Sequence, residues 1–164
     1  MNKTRLDVGC GSYPSGDVNC ELFITDIGHR NEKGRVLNVH KIKNFVLCDA
    51  QHLSFKSNYF DEVFCSHVIE HVKNPIKCLN ELVRVSKCDI EIITPHWLGD
   101  KFSSFGTNKF KFHKSLFRCK WFHTYCVKYN LFCKTRITRT LGGVLGLFLK
   151  IPFEITIYIR KLEK

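Results

Sequence analysis

The chain has 164 residues, of which 44% are hydrophobic and 25% charged, and its formal net charge is +11. This length suits one domain with a hydrophobic core of its own and leaves little room for a second. The composition is ordinary for a soluble globular protein, and no stretch reaches the roughly 18 apolar residues that a membrane-spanning helix needs.

Short apolar runs predict a series of strands in the first hundred residues. The predicted strands cover residues 5–8, 19–24, 44–48, 60–66 and 88–94. Pro75 begins a predicted helix, in which apolar residues recur at helical spacing. Because crossover segments separate the strands, we expect a mostly parallel sheet with right-handed connections.

The pattern changes after Pro95. Residues 96–112 predict a long loop or lid, residues 114–122 a short helix, and residues 125–138 an alternating strand. A Gly-rich apolar segment at 141–149 precedes a last predicted strand at 154–160. We favour packing of this segment on the sheet or in a subunit contact, with a peripheral membrane contact as the alternative.

The first predicted strand leads directly into the turn Gly9-Cys10-Gly11. Glycine lets the backbone approach a ligand closely, because a Cβ would block the contact. Ligands of open α/β sheets bind at the carboxyl ends of the strands, so this turn is a candidate ligand cradle.

Only six residues, 12–17, separate this turn from the second predicted strand. A typical helix has about 11 residues, so the first crossover is predicted to be a loop. Parallel neighbours normally need a connection of about a dozen residues or more. We therefore expect either a binding pocket that is more open on this side or a displaced second strand.

The cysteines and the start of the chain bear on the compartment and on metals. Nine cysteines without a secretory signal pattern predict reduced thiols in a cytoplasmic protein. No Cys-x-x-Cys pair is present, and we predict no metal site. Cys119, Cys126 and Cys133 recur every seven residues among apolar and aromatic neighbours, so we expect them in the core.

Several motifs carry a family resemblance in their order. They are LDVGCG at 6–11, an acidic residue near the second strand, CDAQHLSF at 48–55 and FDEVFCSHVIEHV at 60–72, followed by the helix after Asn74. Together they resemble the class I S-adenosylmethionine-dependent methyltransferases over about residues 4–96. A nicotinamide-dependent dehydrogenase is disfavoured, because the third glycine of its fingerprint is missing.

The resemblance implies an α/β fold class, with a Rossmann-like, open and mostly parallel sheet of about six or seven strands. We expect a shortened first crossover and an antiparallel C-terminal edge. The chain is predicted to form a single methyltransferase domain over 1–164. Residues 1–96 would form its cofactor-binding core, and residues 97–164 its basic, aromatic-rich acceptor and lid region.

The resemblance also implies S-adenosylmethionine as the cofactor. The turn at Gly9, Cys10 and Gly11 would contact its methionyl part, and Asp7 would order the turn or receive the ammonium group. Glu21 would bind the ribose hydroxyls, with Asp26 as the alternative.

The other predicted contacts follow the third and fourth strands. Asp49 would accept a hydrogen bond from the adenine amino group, and Ala50 would offer its backbone N–H to the ring. Leu53 would pack on the adenine face. Ser66 and His67 would lie beside the sulfonium and the incoming nucleophile.

The sequence gives few signals for the group that accepts the methyl group. A hydroxyl acceptor would need a general base, for which His67, His96 and His113 are the candidate catalytic residues. The Asn-Pro-Pro-Tyr-like signature of amino-group methylation in nucleic acids is absent after the fourth strand. This favours O-methylation of a small molecule, sugar or glycan.

The charge distribution suits either an anionic partner or a lysine-rich face exposed to solvent, with the aromatic residues covering an apolar active-site entrance. Residues 1–100 carry 12 Lys and Arg against 13 Asp and Glu, and residues 101–164 carry 14 against 2. Aromatic residues alternate with the basic ones over 101–123, a pattern found in single-strand nucleic-acid binders. We expect an anionic small-molecule or glycan acceptor. The alternatives are an RNA methyltransferase and a non-catalytic module that binds an anionic partner.

Overall fold

The computed structural model describes residues 3–25, 36–99, 113–141 and 150–162. Its strands are β1 Arg5–Val8, β2 Val18–Glu21, β3 Phe45–Leu47, β4 Phe60–Ser66, β5 Ser86–Pro95, β6 Leu131–Leu141 and β7 Lys150–Lys161. Two longer helices, α1 Pro75–Val85 and α2 Cys119–Lys128, accompany them, with a 3-10 turn at Val39–Lys41. No helix among the described residues is long and apolar enough to cross a membrane.

The seven strands form one sheet in the order β3-β2-β1-β4-β5-β7-β6. The first five strands of this order are parallel, and β7 pairs antiparallel with both β5 and β6. The predicted fold class is confirmed, including the antiparallel C-terminal edge. The carboxyl ends of β1 to β4 therefore meet at one edge of the sheet.

The first crossover contains no helix, and β2 nevertheless pairs parallel with β1, placing Leu6 opposite Val18. The N–H of Gly9 donates to the carbonyl of Cys20 at 2.8 Å. A Cβ on Gly16 would lie only 2.8 Å from the backbone nitrogen of Asp7, so the loop lies flat against β1. The shortened crossover is confirmed, and the second strand keeps its place beside the first.

One face of the sheet is apolar and carries both helices. Its side chains are almost fully buried and align across the strands, for example Leu6 with Val63 and Ile90 with Ile159. The buried residues of α1 and α2 belong to the same hydrophobic cluster; they are Cys78, Leu79, Leu82, Val85, Phe122, Tyr125 and Cys126. Removing this apolar area from water is the main stabilising contribution to the fold.

The opposite face of the sheet is polar. Arg5 lies 3.7 Å from Glu62 and 3.9 Å from Glu91, and the Arg160 Nε donates to Asp89 at 2.6 Å. These pairs are partly exposed, and such pairs contribute about 1 kcal/mol or less each. Neither α1 nor α2 packs against this face, whereas the typical doubly wound sheet carries helices on both faces.

The structure corrects the predicted elements after residue 113. Residues 125–128 were predicted to be strand, but they belong to α2, and β6 begins at Leu131. The cause is the burial of Phe122, Tyr125 and Cys126, which lie one helical turn apart on a single face. The Tyr125 hydroxyl also donates to the Asn80 side chain of α1 at 2.7 Å.

Two other predictions concern this part of the chain. Cys126 is buried, and Cys119 and Cys133 pack against the core, which confirms their predicted place. Most of the predicted lid and of the Gly-rich segment, residues 100–112 and 142–149, lies outside the described residues.

Candidate functional site

A cavity of about 600 Å³ opens at the carboxyl ends of the parallel strands. Residues that follow β1, β2, β3 and β4 all contribute to its wall. Six of the predicted site residues meet there: Gly9, Glu21, Asp49, Ala50, Ser66 and His67. The topology therefore assembles a single site from residues that lie up to 58 positions apart in the sequence.

The glycine turn forms the wall at the end of β1. Gly9 has a φ of +75° and Gly11 a φ of +55°, in the left-handed region that favours glycine. A Cβ on Gly9 would lie 2.1 Å from Cγ2 of Val68, another residue of the wall. Gly9 thus fills a position where no side chain fits.

Two buried carboxylates fix this part of the backbone: Glu21 binds the glycine turn, and Asp7 binds the crossover loop that follows it. Glu21, only 7% exposed, accepts hydrogen bonds from the N–H of Gly11 at 3.1 Å and from that of Leu22 at 3.0 Å. Asp7 accepts from the backbone and the hydroxyl of Ser15 at 2.8 and 2.9 Å. Burial raises the pKa of Asp7. Asp7 does not line the cavity and orders the crossover loop, whereas Glu21 reaches the wall.

The loop after β3 is fixed by side-chain hydrogen bonds. Asp49 Oδ1 accepts from the N–H of Gln51 at 2.8 Å, and Gln51 Oε1 accepts from the N–H of Asn74, the N-cap of α1, at 2.9 Å. Because the loop is tied to a helix that packs on the sheet, Asp49 holds a defined position in the wall.

Helix α1 binds the same loop further along. Glu81 accepts from the N–H of Leu53 at 2.8 Å, and Arg84 donates to the carbonyls of Leu53 and Phe55 at 2.8 and 2.7 Å. The Arg84 guanidinium lowers the pKa of Glu81. Leu53 itself is buried in the core and does not line the cavity.

His67 lies at the end of β4 with a φ of +54°, an uncommon conformation for a residue with a Cβ. Its Nδ1 is 3.2 Å from Glu70 Oε1, and its Nε2 is 3.1 Å from Glu154 Oε1 on β7. Glu70 is the first cause of the raised pKa of His67. Ionised carboxylates only accept hydrogen bonds, so this arrangement favours the doubly protonated imidazolium.

The remaining predicted residues that the structure describes do not line the cavity. Cys10 is buried beside the glycine turn, and Gly11 contributes through its N–H to Glu21. His96 is 9% exposed at the end of β5, and burial lowers its pKa. The ring of His113 contacts that of His71, with centroids 4.8 Å apart. Asp26 lies outside the described residues.

Several residues of this site carry no signal in the sequence. Phe23, Val68, Lys73 and Lys114 line the cavity without having been predicted to do so. Glu154 follows His67 by 87 positions, and only the pairing of β7 with β5 brings the two together. Glu70 lies within the FDEVFCSHVIEHV motif at 60–72, but nothing in that motif distinguishes it from a residue of a solvated helix start.

Comparison with known proteins gives one family match and one curated relative. A family model described as a methyltransferase domain matches residues 6–89, just over half of the chain. The uncharacterized protein MJ0638 of Methanocaldococcus jannaschii is 45% identical over 85 residues, covering 50% of this chain. The match spans only 35% of that relative's length.

Solved structures share the fold at low sequence identity. A SAM-dependent methyltransferase of Thermotoga maritima, described as a possible histamine N-methyltransferase, has a TM-score of 0.71 and 13% identity, with 99% of this chain and 84% of that chain covered. A SAM-dependent methyltransferase of Archaeoglobus fulgidus has a TM-score of 0.68 and 15% identity, with 97% and 86% covered. The plantazolicin methyltransferase BpumL, solved with SAH, has a TM-score of 0.65 and 18% identity, with 99% and 78% covered.

Proposed function

The chain belongs to the class I S-adenosylmethionine-dependent methyltransferases, and we propose that it transfers a methyl group from this cofactor to an oxygen of a small anionic acceptor. The observation that carries the proposal is the shared cavity. It brings the glycine turn, Glu21, Asp49 and His67 together at the ends of four adjacent parallel strands.

The cofactor side of the cavity fits the family's cofactor in its chemistry. Gly9 lines the cavity with its backbone and has no side chain, which allows close backbone contact with the methionyl part. The Glu21 carboxylate suits ribose hydroxyls, and Asp49 with the N–H of Ala50 suits the adenine edge. The cofactor supplies an electrophilic methyl group on a sulfonium. The protein's main contribution is then to position the acceptor oxygen in line with it, while the proton of the acceptor hydroxyl passes to solvent.

The acceptor side is basic. Lys73, Lys114 and His71 line the cavity with Ser66 and His67. The two lysine side chains that line this side of the cavity would bind a phosphate, sulfate or carboxylate of the acceptor. Residues 97–164, which carry most of the chain's positive charge, would form this side of the domain. A hydroxylated sugar, glycan or other small molecule with an anionic group fits these features.

Calorimetric titration of the purified chain tests the cofactor. We expect S-adenosylmethionine and S-adenosylhomocysteine to bind with micromolar affinity, and NAD not to bind. A screen of anionic hydroxylated acceptors would then look for the mass gain of one methyl group. If neither S-adenosylmethionine nor S-adenosylhomocysteine bound, this result would contradict the proposal and favour a non-catalytic module.

Asp49→Ala should weaken S-adenosylhomocysteine binding at least tenfold, roughly 1.4 kcal/mol or more, because a charge-assisted hydrogen bond to the adenine is lost. Asp49→Asn should lose affinity as well while keeping an oxygen for the Gln51 N–H. Calorimetry measures both. Asp61→Ala is the matched control, since this carboxylate binds Thr4 and Lys87 away from the cavity. Unchanged affinity in both Asp49 variants would remove Asp49 from the site.

Lys114→Ala is expected to raise the KM for an anionic acceptor about tenfold, because a charge-assisted hydrogen bond of about 1.5 kcal/mol is lost. S-adenosylhomocysteine affinity should stay within twofold. Steady-state kinetics on an acceptor identified by the screen measure the change. Lys120→Ala, a lysine of α2 that does not line the cavity, is the control. Equal KM values in the two variants would exclude Lys114 from acceptor binding.

A further inference from the structure

Three side chains that commonly bind metal ions lie together at the edge of the cavity. They are Glu70, His71 and His113, and one potential ligand atom from each lies within 4.8 Å of the others. The Glu70 side chain is 1% exposed and that of His71 27% exposed. His71 also lines the cavity, so the cluster lies between the core and the predicted acceptor.

The backbone fixes this cluster. Glu70 and His71 lie four and five positions after the end of β4, whereas His113 comes 42 positions after His71. The N–H groups of Lys114 and Ser115 both donate to the carbonyl of Glu70, at 2.8 and 3.2 Å. These two hydrogen bonds tie the segment that carries His113 to the residue that supplies the carboxylate.

The Glu70 carboxylate is oriented by further hydrogen bonds. Its Oε2 accepts from the Thr94 hydroxyl at 3.2 Å, and its Oε1 lies 3.2 Å from His67 Nδ1 and 3.9 Å from His71 Nε2. A carboxylate oxygen has a second lone pair, so these contacts leave room for a metal bond. Supporting bonds of this kind are usual for metal-binding carboxylates.

The charges of the cluster favour a cation. The Glu70 side chain is 1% exposed, and the polar groups close to its carboxylate, those of His67, His71 and Thr94, carry no permanent charge. Burial of an ionised carboxylate is costly unless a positive charge compensates it. A divalent ion beside Glu70 would supply that charge.

Two imidazoles and one carboxylate form the ligand set of catalytic zinc sites, in which a fourth position stays open. Metal–ligand distances of about 2.0–2.2 Å and tetrahedral angles place two ligand atoms on one ion about 3.4 Å apart. The most distant pair of ligand atoms therefore needs to close by up to about 1.4 Å, which rotations about the side-chain χ angles can supply.

We propose that Glu70, His71 and His113 bind one divalent transition-metal ion of the zinc type beside the cavity, which His71 lines. The open coordination position then accepts an oxygen of the methyl acceptor. The binding of the ion follows from the cluster alone, whereas its role toward the acceptor rests on the proposed function.

The test is titration of the full-length, metal-free protein with Co²⁺ under reducing conditions, followed by visible absorption and competition with Zn²⁺. We expect one ion per chain with ligand-field bands in the visible range. The nine cysteines make thiolate binding the main competitor, and thiolate ligands would give an intense charge-transfer band in the near ultraviolet. That band should be absent, and Cys48→Ser should leave the spectrum unchanged.

His71→Ala and His113→Ala should each weaken Co²⁺ binding at least tenfold, and Glu70→Gln should do so while nearly preserving side-chain volume. His123→Ala, a histidine on α2 whose ring contacts Thr135, is the matched control and should bind like the parent chain. Circular dichroism tests whether each variant is folded. His71→Ala and His113→Ala both keep the buried Glu70, so they test metal binding without disturbing the core.

No Co²⁺ binding by the folded parent chain would overturn the proposal. Binding that survives His71→Ala and His113→Ala, or that shows the thiolate band, would overturn it as well. S-adenosylhomocysteine titration of the same samples separates the two proposals. Metal binding without cofactor binding would contradict the proposed function alone, and cofactor binding without metal binding would contradict this inference alone.

Discussion

Gly9→Ala is expected to weaken S-adenosylhomocysteine binding about 100-fold and to lower the stability of the fold. The new Cβ would lie 2.1 Å from Val68 Cγ2, so either the turn or Val68 must move, and both line the cavity. The φ of +75° adds left-handed strain of about 1–3 kcal/mol for a residue other than glycine, and overpacking typically adds a similar amount. Calorimetry and thermal unfolding measure the two effects.

Two further variants separate the steric and the backbone contributions. Val68→Ala in the Gly9→Ala background removes the colliding methyl group and should restore part of the affinity. Asn130→Ala places alanine at a φ of +52° in the turn before β6, away from the cavity. It should lower stability without changing S-adenosylhomocysteine affinity. Parent-like affinity of Gly9→Ala would show that the turn is not part of the binding site.

Phe122→Ala should lower the free energy of unfolding by about 3–5 kcal/mol, the usual cost of removing a large aromatic side chain from a core. Phe122 is fully buried on α2, and its ring centroid lies 5.3 Å from that of Phe117 and 4.8 Å from that of Trp121. Urea denaturation measures the change.

Phe132→Ala is the matched control for this substitution. Phe132 is 52% exposed on β6, so its loss should cost no more than about 0.5 kcal/mol. Equal destabilisation by the two variants would contradict the packing of α2 on the apolar face of the sheet.

The sequence predicted best those elements whose limits depend on local chemistry. Strands β1 and β4 were predicted to the residue, because a glycine turn ends the first and the apolar run Val63-Phe64-Cys65 marks the second. Pro75 and the Asn74 cap defined the start of α1, where the Asn74 side chain accepts from the Lys77 N–H at 3.0 Å. Such signals act within a few residues and are visible without the fold.

The predictions were wrong or incomplete where tertiary contacts determine the secondary structure or the partner of a side chain. The alternation after Tyr125 suggested a strand, yet burial against α1 and the sheet keeps residues 125–128 helical. The partnership of His67 with Glu154 depends on the register of β7 against β5, and no local pattern encodes that register. The predicted site residues Gly9, Glu21 and Asp49 did reach one cavity, because the ends of adjacent parallel strands must lie side by side.

The short first crossover also has a consequence for the order of folding. The paired residues Leu6 and Val18 are only 12 positions apart, as in a local turn, whereas β4 must pair with β1 across 57 positions. Closing a longer loop costs more chain entropy, and folding slows as contacts become less local. Strands β1 and β2 can therefore associate early and act as a template. The less local pairings, that of β4 with β1 across 57 positions and that of β7 with β5 across up to 71, are then the slower steps that complete the sheet.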